Sequence, residues 1–204
     1  MMRVVLIILF FGGLLSSSDA QFGYGISAKT GLYERWTNPQ DDISSRTSGS
    51  ALINLGVGPK VWLGSSKFSV SVEATANIAP FAFSLGEFKG LGAASFPVLA
   101  RLNFGGLSGL NKKGTMGVSI GGGFQWVKTE LFGLTSKFEQ LGGERAYYRS
   151  FCGEVAAGFG MSGFTGYLYL RYGRNNELGV KTFNVGIGYD FNVPTLQVLT
   201  DPEF

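Results

Sequence analysis

Hydrophobic residues recur at every second position over long stretches of this chain, the period of a strand that is apolar on one face and polar on the other. From Phe22 to Leu32, Phe22, Tyr24, Ile26, Ala28 and Leu32 oppose Gly23, Gly25, Ser27, Lys29 and Gly31. Between Ser50 and Gly64, Ile53, Leu55, Val57 and Val61 oppose Asn54, Gly56, Gly58, Lys60 and Trp62, with Leu52 and Pro59 as exceptions. The cleanest patterns are Lys67 to Pro80, with Val70, Val72, Ala74 and Ile78 against Ser71, Glu73, Thr75 and Asn77, and Thr182 to Val193, with Phe183, Val185, Ile187, Tyr189 and Phe191 against Asn184, Gly186, Gly188 and Asp190.

Four further segments alternate in the same way: Ala94 to Phe104, Thr115 to Val127, Tyr147 to Met161 and Phe164 to Tyr172. Eight candidate strands result, an even number, each near the roughly 9 to 11 residues that a tilted strand needs to cross a bilayer. Short links at Ser65–Ser66 and Ser162–Gly163 alternate with long ones over Thr37–Gly49, Phe81–Gly92 and Thr129–Ala146. The pattern predicts an all-β protein, an antiparallel up-and-down transmembrane β-barrel of about eight strands, with long loops at one end. Pro97 lacks a donor and predicts a bulge in the fourth strand.

The polar face consists mostly of Gly, Ser, Thr and Asn, which suits the narrow interior of an eight-stranded barrel and leaves the large apolar residues to meet lipid. A soluble secreted ligand-binding barrel would turn its apolar face inward and need a charged exterior. Only 15 % of the 204 residues are charged, against roughly 25 % in an ordinary soluble domain. Phe22, Phe68, Phe104, Phe159 and Phe191 fall at one set of strand ends and Trp126 and Tyr172 at the other, as interfacial girdles do.

Met1, Met2 and Arg3 precede an apolar run from Val4 to Leu15 and a small-x-small site at Ser18-Asp19-Ala20, the layout of a secretory signal peptide over residues 1–20. The apolar run is short for a spanning helix, which takes about 20 residues. The barrel then occupies residues 21–193. Residues 194–204, interrupted by Pro194 and Pro202, form a short periplasmic tail that is either irregular or a contact surface.

The leader, the glycine-spaced aromatic strands, FPVLARLNFG (Phe96 to Gly105) and KTFNVGIGYDFNV (Lys181 to Val193) resemble the small outer-membrane barrels of the Bacteroidota, the PorT-like class with an outer membrane protein beta-barrel domain. The resemblance implies a location in the outer membrane, contact with its lipid, and folding by the barrel-assembly machinery. That machinery reads a final strand with alternating aromatics, the role that falls to Tyr189 and Phe191. Envelope proteins meeting the loops or the tail are further expected partners.

Chemistry is sparse. The chain has no histidine, which removes Ser-His and Asp-His mechanisms and most zinc sites. With Cys152 the single cysteine, neither an internal disulfide nor a cysteine metal cluster can form, and no cofactor is implied. A net charge of +3 with no cationic run beyond Lys112–Lys113 argues against nucleic acid. Gly121–Gly123 in SIGGGF lie inside an alternating strand and read as relief of crowding, not as a phosphate loop. Cys152 reads as a small packing residue.

On the inward face stand Lys29, Lys60, Arg101 and Arg171 with Glu73, Glu154 and Asp190. These predict a plug of ion pairs that fills the barrel; the alternative is an ion pathway. Glu73 and Glu154 lie on non-adjacent strands, so their separation cannot be read from sequence. The long loops carry Asp41, Asp42, Arg46, Lys137, Glu139, Glu144 and Arg145, candidates for partner recognition or plain solvation. The expected function is a non-catalytic structural or accessory barrel serving envelope integrity, a secretion apparatus or a membrane complex. A narrow channel or small-solute transporter is the alternative, with the soluble ligand-binding barrel behind it.

Overall fold

The computed structural model describes residues 21–39, 47–84, 90–110, 113–133 and 145–200. The predicted leader and the loop residues Asp41, Asp42, Arg46, Lys137, Glu139 and Glu144 lie outside them. The strands are β1 (Gln21–Thr37), β2 (Thr47–Gly64), β3 (Phe68–Ala74), β4 (Ala76–Ser84), β5 (Gly90–Gly105), β6 (Thr115–Gly133), β7 (Tyr148–Met161), β8 (Phe164–Asn175) and β9 (Val180–Asn192). Neighbouring strands pair antiparallel in chain order, with β3 and β4 each pairing β2 on one side and β5 on the other, and β9 pairs back onto β1, so a single ring of hydrogen bonds closes with no free edge among the described residues. No described helix is long and apolar enough to cross a membrane; a barrel crosses with strands.

Among the described residues nine strands stand where eight are predicted, because the third segment is divided at Thr75. The cause is Pro97. The Thr75 amide donates to the Pro97 carbonyl at 3.1 Å, but the ring nitrogen of proline can return nothing, so the ladder lapses at that pair. The expected bulge is absent: Glu73 pairs with Leu99 and Asn77 with Ser95 on one unshifted register. β3 and β4 thus continue each other, and eight segments cross the barrel wall.

Register shifts occur elsewhere, toward the long-loop end. β1 carries one extra residue, Leu32, against β9, and β2 carries Leu52 and Ile53 where β1 has Leu32 alone. A bulge of this kind reverses which face the following side chains take. Leu32, predicted to face outward, is this bulge residue; beyond it Tyr33 points out and Glu34 and Trp36 point in.

The barrel is inside out relative to a soluble protein. Along β8, Leu168 is 58 % exposed while Tyr167 and Tyr169 on either side are 3 % exposed. Leu55, Val57, Ile78, Val118 and Ile120 face outward in the same way, whereas Lys60, Glu73 and Arg101 are buried. A charged core inside an aliphatic exterior is stable where the outer solvent is hydrocarbon. Outward rings meet across strands at the short-turn end, Phe68 with Phe104 at 5.2 Å and Phe164 with Phe191 at 5.3 Å between centroids.

Two elements cover the short-turn end. The β5–β6 link folds into a 3-10 turn, Gly106–Ser108, held when the Ser69 hydroxyl donates to the Ser108 carbonyl at 2.6 Å and Asn192 Nδ2 donates to the Gly109 carbonyl at 2.8 Å. Leu107 and Leu110 are thereby buried. After the last strand, helix α1 (Val193–Thr200) forms where the sequence suggests irregular chain; Pro194 sits in its first turn, where a missing N–H costs no hydrogen bond. Residues 201–204 lie outside the described part.

Candidate functional site: the charged lumen

The seven inward charges come from seven strands: Lys29 from β1, Lys60 from β2, Glu73 from β3, Arg101 from β5, Glu154 from β7, Arg171 from β8 and Asp190 from β9. Each is at most 4 % exposed. Strand parity turns them inward, and barrel closure brings them within reach of one another.

Glu154 and Glu73 are the two hubs. Glu154 accepts from Arg171 Nη2 at 2.6 Å and Arg171 Nε at 2.8 Å, a two-pronged pairing on adjacent strands, and it also pairs with Arg101 and with Lys29 at 3.5 Å. Glu73 accepts from Arg101 Nη2 at 2.9 Å, pairs with Lys29, and lies 3.4 Å from Lys60 Nζ. Lys60 donates in turn to Asp190 at 2.6 Å, and Asp190 receives the Tyr167 hydroxyl at 3.1 Å. All seven residues therefore form one connected network. The separation of Glu73 and Glu154 that sequence left open is settled by Arg101 and Lys29, which bridge both carboxylates across the lumen.

Tyrosine rings floor the network. Tyr167 pairs with Gly188 and Tyr169 with Gly186, and an added Cβ at either glycine would run into the ring of its partner. Glycine lets each ring lie flat on β9. The Arg101 guanidinium then sits 5.2 Å over Tyr167, and Lys29 Nζ sits 5.1 Å over Tyr169 with Arg171 at 5.4 Å. Gly121 serves similarly, since an added Cβ would meet the Arg101 side chain. SIGGGF thus lies within β6 and makes room for a cation.

Above the network toward the long loops, the Glu34 carboxylate accepts from Asn54 and, at 2.7 Å, from Asn184 Nδ2. Sequence reasoning missed Glu34 because the bulge at Leu32 lies before it. Higher still, Trp36, Ala79, Ala82, Ala93, Val127, Tyr148 and Val180 form an apolar cluster inside the barrel. Arg145, grouped with the loop residues, is instead buried and paired with Glu130, a residue with positive φ at a β6 register shift. Cys152 is buried on the inward face. Among the described residues no cluster of metal-ligating side chains is present.

The arrangement pairs buried charges of both signs. Each carboxylate of the network is held by at least one cation, and none of the seven side chains has appreciable contact with water. Tyr189 and Phe191 face outward on β9, near the Phe164 ring.

No protein-family model matches the chain, and no curated protein matches it. Among solved structures it is similar to Ail, the attachment invasion locus protein of Yersinia pestis, seen in complex with the heparin analogue sucrose octasulfate. That similarity is 15 % identity over 84 % of this chain and 99 % of Ail, with a TM-score of 0.43. A second Ail structure gives 15 % identity over 83 % and 99 %, with a TM-score of 0.39. The N-terminal β-barrel domain of Pseudomonas aeruginosa OprF gives 11 % identity over 84 % and 100 %, with a TM-score of 0.38.

Proposed function

We propose that this chain is a non-conducting, non-catalytic barrel of the bacterial outer membrane with a structural or accessory role in the envelope: integrity, a secretion apparatus or a membrane complex. The observation that carries this reading is the filled lumen. Seven charged side chains, the rings of Tyr167 and Tyr169 and the inserted Leu107 occupy the cross-section that a pore would need as water. The aliphatic exterior supports the membrane, and the paired state of Glu73 and Glu154 supports the absence of catalysis. The reading includes export on residues 1–20, assembly by the barrel-assembly machinery through Tyr189 and Phe191, and kinship with the PorT-like barrels of the Bacteroidota.

Two measurements test it together. Full-length protein from the outer-membrane fraction is expected to change gel mobility on boiling in detergent, and the same protein in planar bilayers is expected to give no discrete current steps. Stepwise conductance from folded protein would transfer the assignment to a narrow channel. Recovery as soluble protein with no mobility shift would revive a ligand-binding barrel.

A further inference from the structure

The outward face of the barrel at its long-loop end carries a run of cations. Lys128 on β6, Arg149 on β7, Arg174 on β8, Lys181 on β9 and Arg35 on β1 all point away from the lumen, and their strands are consecutive around the wall. Arg174 and Lys181 are direct cross-strand partners. Lys181 stands opposite Thr37, two residues from Arg35, and Arg174 stands opposite Phe151, two residues from Arg149. Each cation is thus a direct or diagonal neighbour of the next.

Like charges placed opposite each other weaken a strand pair, yet β8 and β9 keep such a pair. Arg35, Arg174 and Lys181 have no ion-pair partner among the described residues. The described carboxylates Glu34, Glu73, Glu130, Glu154 and Asp190 are all buried, which leaves Glu177, in the β8–β9 turn, as the exposed one. The Arg149 guanidinium lies 5.3 Å over the Phe124 ring and Lys128 Nζ 5.8 Å over Tyr147, within an outward aromatic rim of the kind that marks a membrane interface. On the other half of the wall the same end presents Ile53, Phe81 and Phe83 instead.

Below the cations the wall is indented. Gly122 and Gly153 are cross-strand partners facing outward, and a groove of about 310 Å³ opens there, lined by Ile120, Gly153, Val155, Leu170, Tyr172 and Phe183. Tyr172 and Phe183 are each two residues from a cation of the arc, Arg174 and Lys181.

We propose that the arc from β6 to β1 docks the phosphorylated headgroups of membrane lipids in the leaflet at the loop end, with an acyl chain seated in the groove beneath. The proposal rests on the barrel crossing a membrane, as inferred above. Charge complementarity, the height of the arc at the aromatic rim and the apolar groove below it all fit an anionic lipid, whereas a soluble anion would use only the first.

The test uses the full-length barrel in dodecyl maltoside, titrated with dioctanoyl phosphatidic acid, dioctanoyl phosphatidylcholine or inorganic phosphate and followed by native mass spectrometry. Phosphatidic acid is expected to bind in preference to the other two. The double variant Arg174→Gln/Lys181→Gln should weaken it roughly 30-fold, and Arg35→Gln roughly fivefold, given the usual contribution of a cation at a lipid surface. Lys67→Gln, at the opposite end, should leave binding unchanged. Undiminished binding by the double variant, an equal loss in Lys67→Gln, or equal occupancy by inorganic phosphate would overturn the proposal. A boiling-dependent mobility shift is measured on every variant; its absence in the wild type would instead remove the membrane barrel on which the proposal stands.

Discussion

The lumen holds two regions, equally hidden from water and built by opposite means. At the centre, charged residues from seven strands pair across the diameter. Toward the long loops, Trp36, Ala79, Val127, Tyr148 and Val180 pack as the core of a soluble protein would. Apolar packing is non-directional, and its loss scales with the volume removed. A buried ion network is directional, so that each member depends on partners from other strands and an orphaned charge is far costlier than a cavity of the same size. The central layer therefore specifies which strands close on which, while the upper layer mainly excludes water.

The two layers should differ most at Glu154. Glu154→Ala leaves Arg171, Arg101 and Lys29 short of a shared anion and should cost about 3–5 kcal/mol, read as a lower temperature for the boiling-dependent mobility shift. The double variant Glu154→Leu/Arg171→Met removes one charge of each sign and should recover most of that loss, because replacing a buried pair by apolar groups is often neutral. Equal damage in single and double variants would mean that the charges act only as filler.

A smaller effect is expected in the upper layer. Val127→Ala should cost about 1–3 kcal/mol through its cavity, and no second charge change should rescue it. If Glu154→Leu/Arg171→Met proved as harmful as Val127→Ala combined with Trp36→Ala, the distinction between the two regions would fail. The smallest effect falls between them. Glu34→Gln keeps one acceptor for Asn54 or Asn184 and should cost about 1 kcal/mol, the worth of one hydrogen bond; a loss as large as that of Glu154→Ala would place Glu34 within the ionic network.

Much of this was legible in residue order. A period of two leaves only two faces to choose between, and glycine and serine opposite phenylalanine and leucine mark the narrow side, so Lys29, Lys60, Glu73, Arg101, Glu154, Arg171 and Asp190 could be placed inward one strand at a time. Glu34 escaped because an extra residue at Leu32 inverts the alternation, and such an insertion is visible only against the partner strands. Pro97 was read correctly as a ladder defect but assigned the wrong form: the missing donor interrupts pairing to Thr75 while the register stays intact. The inserted turn at Leu107 and the helix after Asn192 left no periodic trace, since the turn depends on contacts from β3 and β9 and the helix lies against β1 and β9.

Residue order thus carried the approximate strand segments and, wherever no bulge intervenes, the face of each residue and the apolar exterior around a polar interior, because these follow from local geometry repeated every two residues. Only the tertiary structure decided which charge meets which. Lys29 reaches Glu73 and Glu154 from a strand adjacent to neither, and contacts across a lumen exist only after the last strand has bonded to the first and fixed the barrel's diameter.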